Sequence, residues 1–296
     1  MFNGGQLKVL DYARHVGASG YFQPRLYTTT GIDTSYDPAL CADDIPRTDS
    51  LDGSDAFFLA GLDWSVLDNA GVDIGGRPVV NLIQGFSHTT PGDPRYEYLS
   101  RPALRICVSP QLATALADTG RVNGPIVTIE NGLDLDALRA ARTNAHFAVA
   151  IAGLKNAPLA LEIEARLQEC GIETIAQTQG LPHDAFLALL ASASVAVVLP
   201  HETEGFFLPA LEAMVLGCAV VAPDCIGNRS FCVDHRTALV PEYSADAIVQ
   251  AISLLLSDAL VTRRILAGAA AIVERYSLSG ERDKFYRALD IFLDAP

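Results

Sequence analysis

Glu204 and Glu212 flank a Gly-Phe-Phe-Leu-Pro turn within HETEGFFLPALEAMVLGCAVVAP, residues 201–223. A carboxylate accepts hydrogen bonds through both oxygens, so two of them can hold a polyol such as a sugar. Between and beyond them, Gly205 permits a tight backbone, Pro209 suits the first turn of a helix, and Gly217 sits where a left-handed residue commonly closes one. A helix opening beside the Glu204 turn presents unpaired amides and the positive end of its dipole, which suit a phosphate. The chemistry on offer is recognition of a sugar joined to phosphate. The same letters also describe an acidic loop and a helix in an ordinary strand–helix unit. For the two glutamates alone, that plainer reading is the stronger one.

These residues need a frame, and the chain supplies one. Apolar runs without strict alternation occur at 25–28, 56–61, 78–83, 105–109 and 125–129, and again at 147–153, 173–177, 195–200, 218–223 and 237–240. Such runs suit strands covered on both faces of a parallel sheet. Helical patterns at 111–119, 158–170, 184–192 and 209–216 lie between them, which predicts doubly wound α/β layers. There are two such series, separated by ENGLDLDALRAARTNAH, 130–146. The predicted domains are 1–140 and 141–278, with a helix over 279–293 that packs back across the junction from a final segment, 279–296. The first domain opens on a Gly-Gly turn and a helix, with only three residues where a strand is customary.

Composition narrows the function classes. Half the residues are hydrophobic and 19% are charged, as in a globular protein. A formal net charge of −14 opposes a sequence-independent grip on nucleic acid and simple attraction to anionic lipid. It does not oppose an anionic small ligand held by local amides and cations. No apolar run reaches the ~20 residues of a membrane span, and the N-terminus lacks a signal-peptide core, so a cytoplasmic protein is expected. The six cysteines include no C-x-x-C pair; Cys107 and Cys218 read as buried thiols, and Cys225 and Cys232 as thiols of a mobile loop. Asp134-Leu-Asp136 has a metal-binding form, but in a linker it reads as helix capping, and no metal is expected. Asn228 after Gly227 reads as a turn former, and Asp43, Asp44 and Asp52 as polar loop.

The neighbours of the two glutamates change their weight. Residues 194–223 resemble the hallmark of family-4 glycosyltransferases of the GT-B fold, E-G-F-G-L-P-x-L-E-A-M-A-x-G-x-P-V-V. The agreement includes Glu204, Gly205, Phe206, Leu208, Pro209, Leu211, Glu212, Ala213, Met214, Gly217, Val220 and Val221. ICVSPQLATAL, PIVTIENGLDLDAL and NGGQLKVLDYARHV are similar to further family segments, so the resemblance covers nearly the whole chain. It implies two Rossmann-like domains with the donor in the cleft between them, the first on the acceptor side.

The resemblance also implies roles. Glu212 would bind ribose hydroxyls of a nucleoside diphosphate sugar, while Glu204 and the amides of Phe206 and Phe207 would face the transferred sugar. Leu208 and Pro209 would open the helix that meets the diphosphate, and Lys155 would neutralise the leaving group, where fixed positive charge stabilises the transition state. Gly4 and Gly5 would let backbone approach phosphate or acceptor, and Arg229 would lie near the donor. Three departures stand out. Leu154 precedes Lys155 where an arginine is usual, Phe207 replaces a small residue, and Gln84 stands where a histidine is usual. His88, four residues on, is the substitute for that histidine, set against a plain surface histidine.

The implied function is retaining, metal-independent transfer to a glycan or lipid-linked acceptor in polysaccharide biosynthesis. It needs no cofactor beyond the donor substrate. Peripheral membrane contact and oligomeric state stay open. A non-catalytic nucleotide-sugar-binding or partner module and a sugar-nucleotide epimerase are the alternatives.

Overall fold

The computed structural model describes residues 4–27, 44–143 and 146–293; Cys41, Asp43 and the first three residues lie outside these. Two compact units result, one formed by Gly132–Leu278 and the other by the chain up to Asn131 together with the segment from Ser279 onward. The change of unit falls at Asn131–Gly132, earlier in the chain than residue 141.

The N-terminal unit begins with helix α1 (Gly4–Ala18) and a short parallel pair, β1 (Leu26–Tyr27) and β2 (Arg47–Thr48). Then follow β3 (Phe57–Ala60), α2 (Trp64–Asn69), β4 (Val79–Ile83), α3 (Pro94–Glu97), β5 (Leu104–Cys107), α4 (Pro110–Asp118) and β6 (Ile126–Thr128). Strands β3 to β6 form one parallel sheet in chain order. Every residue of β4 and β5 is buried, which explains their unbroken apolar character. The exceptions are Asn81, whose Nδ2 donates to the Leu59 carbonyl at 3.1 Å, and Arg105, whose Nη2 donates to the carbonyl oxygens of Tyr98, Leu99 and Arg101. Ser109 starts α4 by accepting from the Leu112 amide, with Pro110 in the first turn.

Two sequence expectations change in this unit. Gly4 and Gly5 are not a turn before the helix but its first two residues. A helix start leaves its first amides without internal partners, so glycine there disturbs no ladder. The Gly5 carbonyl instead accepts from Gln84 Nε2 at 3.1 Å, tying α1 to the end of β4. His88 is not a surface histidine. It lies buried in a 3-10 turn over Phe86–Thr89, with Nδ1 3.1 Å from the Gly85 carbonyl oxygen and, among the described residues, no partner on Nε2. Burial pushes its pKa down to about 4, assisted by the Arg95 and Arg105 charges and opposed by the Gly85 bond and Asp93.

The C-terminal unit runs α5 (Leu135–Ala140), β7 (Phe147–Ala152), α6 (Ala157–Glu169), β8 (Thr174–Gln177), α7 (His183–Ala191), β9 (Ala193–Val198), α8 (Leu208–Val215) and β10 (Ala219–Val221). Helices α9 (Ala245–Ser257) and α10 (Ala259–Val273) follow. Its parallel sheet has the order β10-β9-β7-β8. Val149, Ile151, Val195, Val197 and Val221 build the core from the sheet, with Ile163, Ile248, Ile252 and Ile265 from the helices. The run at 237–240 forms no strand; it contributes a bridge between Leu239 and Val221. Asp134 caps α5 through the Ala137 amide. Cys225 and Cys232 lie in the connection after β10 but are buried in it, in a segment that Asn228 closes. Its Oδ1 accepts from the Cys225 amide at 3.2 Å and its Nδ2 donates to the Pro223 carbonyl at 3.0 Å.

The last helix, α11 (Leu278–Leu293), belongs almost wholly to the N-terminal unit. Phe285 meets Tyr12 edge-on, and Lys8 Nζ, fully buried, pairs with Glu281 at 2.7 Å and Asp11 at 2.8 Å. His15 Nε2 sits 3.2 Å from the same Glu281 oxygen.

Removing one member of such a buried cluster strands the others, so Lys8→Ala should lower unfolding free energy by about 3–5 kcal/mol in chemical denaturation. A loss below about 1 kcal/mol would mean the cluster is dispensable. His88 gives a pH prediction. Between its ordinary pKa of 6.5 and about 4 the unfolded chain holds the proton and the folded chain does not. Its contribution to stability is complete above that window and is lost as pH falls through it, on the order of 3 kcal/mol in all. The acid-side slope of stability should therefore flatten in His88→Gln; a slope equal to wild type would remove His88 from the account.

Candidate functional site

The sheet order places a topological switch between β7 and β9. From β7 the chain moves to β8 on one side, whereas from β9 it moves to β10 on the other. The connections leaving the carboxyl ends of these neighbours diverge, and ligands of open α/β sheets bind in the crevice so formed. Lys155 lies in the turn after β7, and Glu204 in the turn after β9. The register Ala152↔Val198 and the Leu199 amide bonded to the Ala152 carbonyl at 3.2 Å bring the two turns side by side.

The side chains meet there. Lys155 Nζ donates to Glu204 Oε1, which also accepts from the His201 amide at 3.2 Å. The same ammonium lies over the Phe207 ring, 5.1 Å from its centroid. Asn156, beside Lys155, caps α6 through the Leu159 amide. Tyr243 closes the neighbourhood by donating to the Pro200 carbonyl at 2.8 Å. Burial, foremost, and the Glu204 charge raise its pKa against a hydrogen bond from Asn156. The Cys225 thiol is likewise pushed up to about 12, by burial first and then Glu204.

The turn between Glu204 and α8 is fixed by close packing. A Cβ on Gly227 would stand 2.8 Å from the Glu204 carbonyl oxygen and the Phe206 nitrogen, so only glycine lets these segments touch. The Phe207 amide donates to the Gly227 carbonyl at 3.0 Å. That amide is spent inside the fold, which corrects its expected use toward a sugar and leaves Phe206 of the pair. The Phe207 ring, only 2% exposed, packs into the fold, and Phe206 packs against Phe231 and Tyr276. Pro209 stands in the first turn of α8. Gly217, at φ +85, ends that helix in the left-handed form, and the Arg142 guanidinium donates to the Val215 carbonyl beside it.

Glu212 is 3% exposed, in a helix of which every residue but Pro209 is buried. Its Oε1 lies 2.7 Å from Nε2 of His183, the first residue of α7. His183, Asn156 and Tyr243 were not singled out from sequence. The available signals were slight: a histidine opening a helix after the Gly-Leu-Pro loop, and an asparagine at a cap position next to Lys155. Arg229 is engaged by Asp224 at 2.6 Å. Leu154 is partly exposed. Lys155, Glu204 and Phe207 thus form one cluster, with Gly205, Phe206 and Leu208 in the same turn and Glu212 further along α8. Gly4, Gly5, Gln84 and His88 lie in the N-terminal unit.

Known proteins match this architecture. Residues 132–271 match the family described as glycosyl transferases group 1. An MMP alpha-(1->4)-mannosyltransferase of Mycolicibacterium hassiacum is 36% identical over 109 residues, 34% of this chain and 25% of that protein. The chain therefore aligns with about a quarter of that relative's length. The Anabaena HepE structure in complex with UDP and glucose superposes with a TM-score of 0.73 at 17% identity, covering 97% of this chain and 96% of that one. The pneumococcal O-GlcNAc transferase GtfA, in complex with UDP and GlcNAc, superposes with a TM-score of 0.56 at 14% identity, over 78% of this chain and 55% of that one. At these identities the structural likeness is one of fold. The C-terminal unit is nearly filled by the residues that match glycosyl transferases group 1, and the chain has the GT-B fold.

Proposed function

We propose that the chain transfers a sugar from a nucleoside diphosphate sugar to a glycan or lipid-linked acceptor, with retention at the anomeric carbon and without a metal ion. The observation that carries this reading is the meeting of Lys155 and Glu204 at the switch between β7 and β9, beside the opening of α8. It occurs within the residues that match glycosyl transferases group 1, and UDP complexes of a protein sharing the fold support a nucleotide donor.

In this reading the diphosphate lies against Lys155 and the start of α8, where a point cation and oriented amides balance the charge of the departing phosphate. The sugar–phosphate C–O bond breaks, the acceptor oxygen bonds to the anomeric carbon on the same face, and the acceptor proton passes to the departing phosphate oxygen. Glu204 holds sugar hydroxyls and Glu212 holds the ribose, with His183 orienting the Glu212 carboxylate from behind. Asp134 is spent on capping α5, so metal independence is supported by Lys155 supplying the positive charge instead. No single helix among the described residues is long and apolar enough to cross a membrane. A cytoplasmic setting and a polysaccharide or lipid-linked product complete the proposal.

A thermal-shift panel of UDP-, GDP-, dTDP- and ADP-sugars tests the donor. A ligand at about 100 times its Kd adds about 2.7 kcal/mol of stability, so a real donor raises Tm plainly and the other bases do not. Glu212→Ala should weaken that nucleotide roughly 10-fold or more through loss of charged hydrogen bonds, with the fold retained. Unchanged affinity in the folded variant would remove Glu212 from the ribose. Lys155→Ala should depress turnover while free nucleoside binds as before. A donor that binds yet is neither hydrolysed nor transferred would favour a non-catalytic module; a converted nucleotide sugar without acceptor would identify an epimerase.

A further inference from the structure

Phe207 does more in this turn than fill space. Its ring is buried and its amide is tied to the Gly227 carbonyl, so both backbone and ring direction are fixed. Lys155 Nζ rests over the ring face while pairing with Glu204. The two contacts differ in kind. A carboxylate forms a charge-assisted hydrogen bond that an incoming anion must compete with, whereas an aromatic face attracts the ammonium and leaves its charge unneutralised. A lysine stem has four flexible bonds, and holding its head in one place costs rotamer freedom that a preformed seat removes in advance.

We infer that Phe207 is a positioning residue: its ring keeps the Lys155 ammonium in place while that ammonium exchanges the Glu204 carboxylate for the diphosphate of the donor. This rests on the donor-site reading proposed above and adds to it a way for one lysine to serve two anionic partners in turn. Glu204 holds the ammonium when the site is free of nucleotide. When the diphosphate arrives, the ring contact persists, and the Glu204 carboxylate is released toward the sugar. The ring is buried, with the ammonium over its face.

The test compares Phe207→Met, which keeps volume and loses the aromatic face, with Phe207→Tyr, which keeps the face. Titration calorimetry on the full chain measures UDP against uridine, or the matching pair for whichever base the thermal-shift panel selects. Phe207→Met should weaken the diphosphate by about 3- to 10-fold and leave the nucleoside unchanged. Phe207→Tyr should keep both affinities. In a Lys155→Ala background, Phe207→Met should add no further loss, since the ring acts only through the ammonium. A Met variant that binds diphosphate like wild type, weakens nucleoside and diphosphate equally, or keeps its full effect without Lys155 overturns the inference. If methionine prevents folding, Phe207→Leu takes its place in the same comparison. Failure of the wild type to bind any nucleoside diphosphate brings down the donor-site reading itself. Lys155-dependent binding indifferent to Phe207 sinks this inference alone.

Discussion

Two adjacent parallel strands, β7 and β9, send their continuations to opposite sides of the sheet, and the rest of the site follows from that divergence. A crossover helix covers one face of a sheet on its way to the next strand. Where consecutive crossovers part, the carboxyl ends of two strands are left without a covering segment. Lys155 and Glu204 occupy those two ends. Neither residue is placed by its own preferences. Each is carried there by a strand whose apolar side chains are buried on both faces, Val149, Ile151, Val195 and Val197 on one and Ala150, Ala196 and Val198 on the other. The register between Ala152 and Val198 then fixes the spacing of the turns.

Around this opening the fold separates charge that must stay from charge that must be free to act. Arg229 is engaged by Asp224, and Arg142 closes the end of α8. Lys155 instead shares its ammonium between a carboxylate and a ring face, both in the same turn. A chain with a net charge of −14 can hold an anion in such a place because the interaction is decided within a few ångströms, where screening by solvent and distant carboxylates is weak. Glu212 shows the complementary device. A nearly buried carboxylate is held by His183, as the role proposed for it requires.

Much of this was legible because it is local. The α/β alternation follows from unbroken apolar runs, and helix starts are announced by Ser109-Pro110, by Asn156 with Pro158 two residues on, and by Ser244 and Asp258. The turn from Glu204 to Pro209 was legible as a pattern, but its use of hydrogen bonds was not. The Phe207 amide is claimed by a carbonyl twenty residues later in the chain, at Gly227, and no local signal reports that. The His183–Glu212 contact depends on α7 and α8 packing together. A histidine in a polar stretch reads as readily as surface as it does as site, yet the 3-10 turn folds His88 inward. The run at 237–240 has strand composition, yet it enters the fold through isolated bridges, Leu239 to Val221 and Ala238 to Asp234.

The helix that returns from the end of the C-terminal unit bears on the order in which the protein can be made. Lys8 emerges early, and its partner Glu281 is synthesised 273 residues later. At about 5–20 residues per second, the ribosome needs roughly a quarter of a minute to a minute to cover that distance. For that interval the first unit carries a lysine meant for burial with Asp11 but not yet Glu281 to pair it, and Tyr12 of α1 lacks the Phe285 ring that meets it edge-on. The second unit, by contrast, is continuous in sequence from Gly132 to Leu278. The nascent chain therefore completes these two units in reverse: the one begun second is whole first, and the one begun first closes only once α11 has emerged.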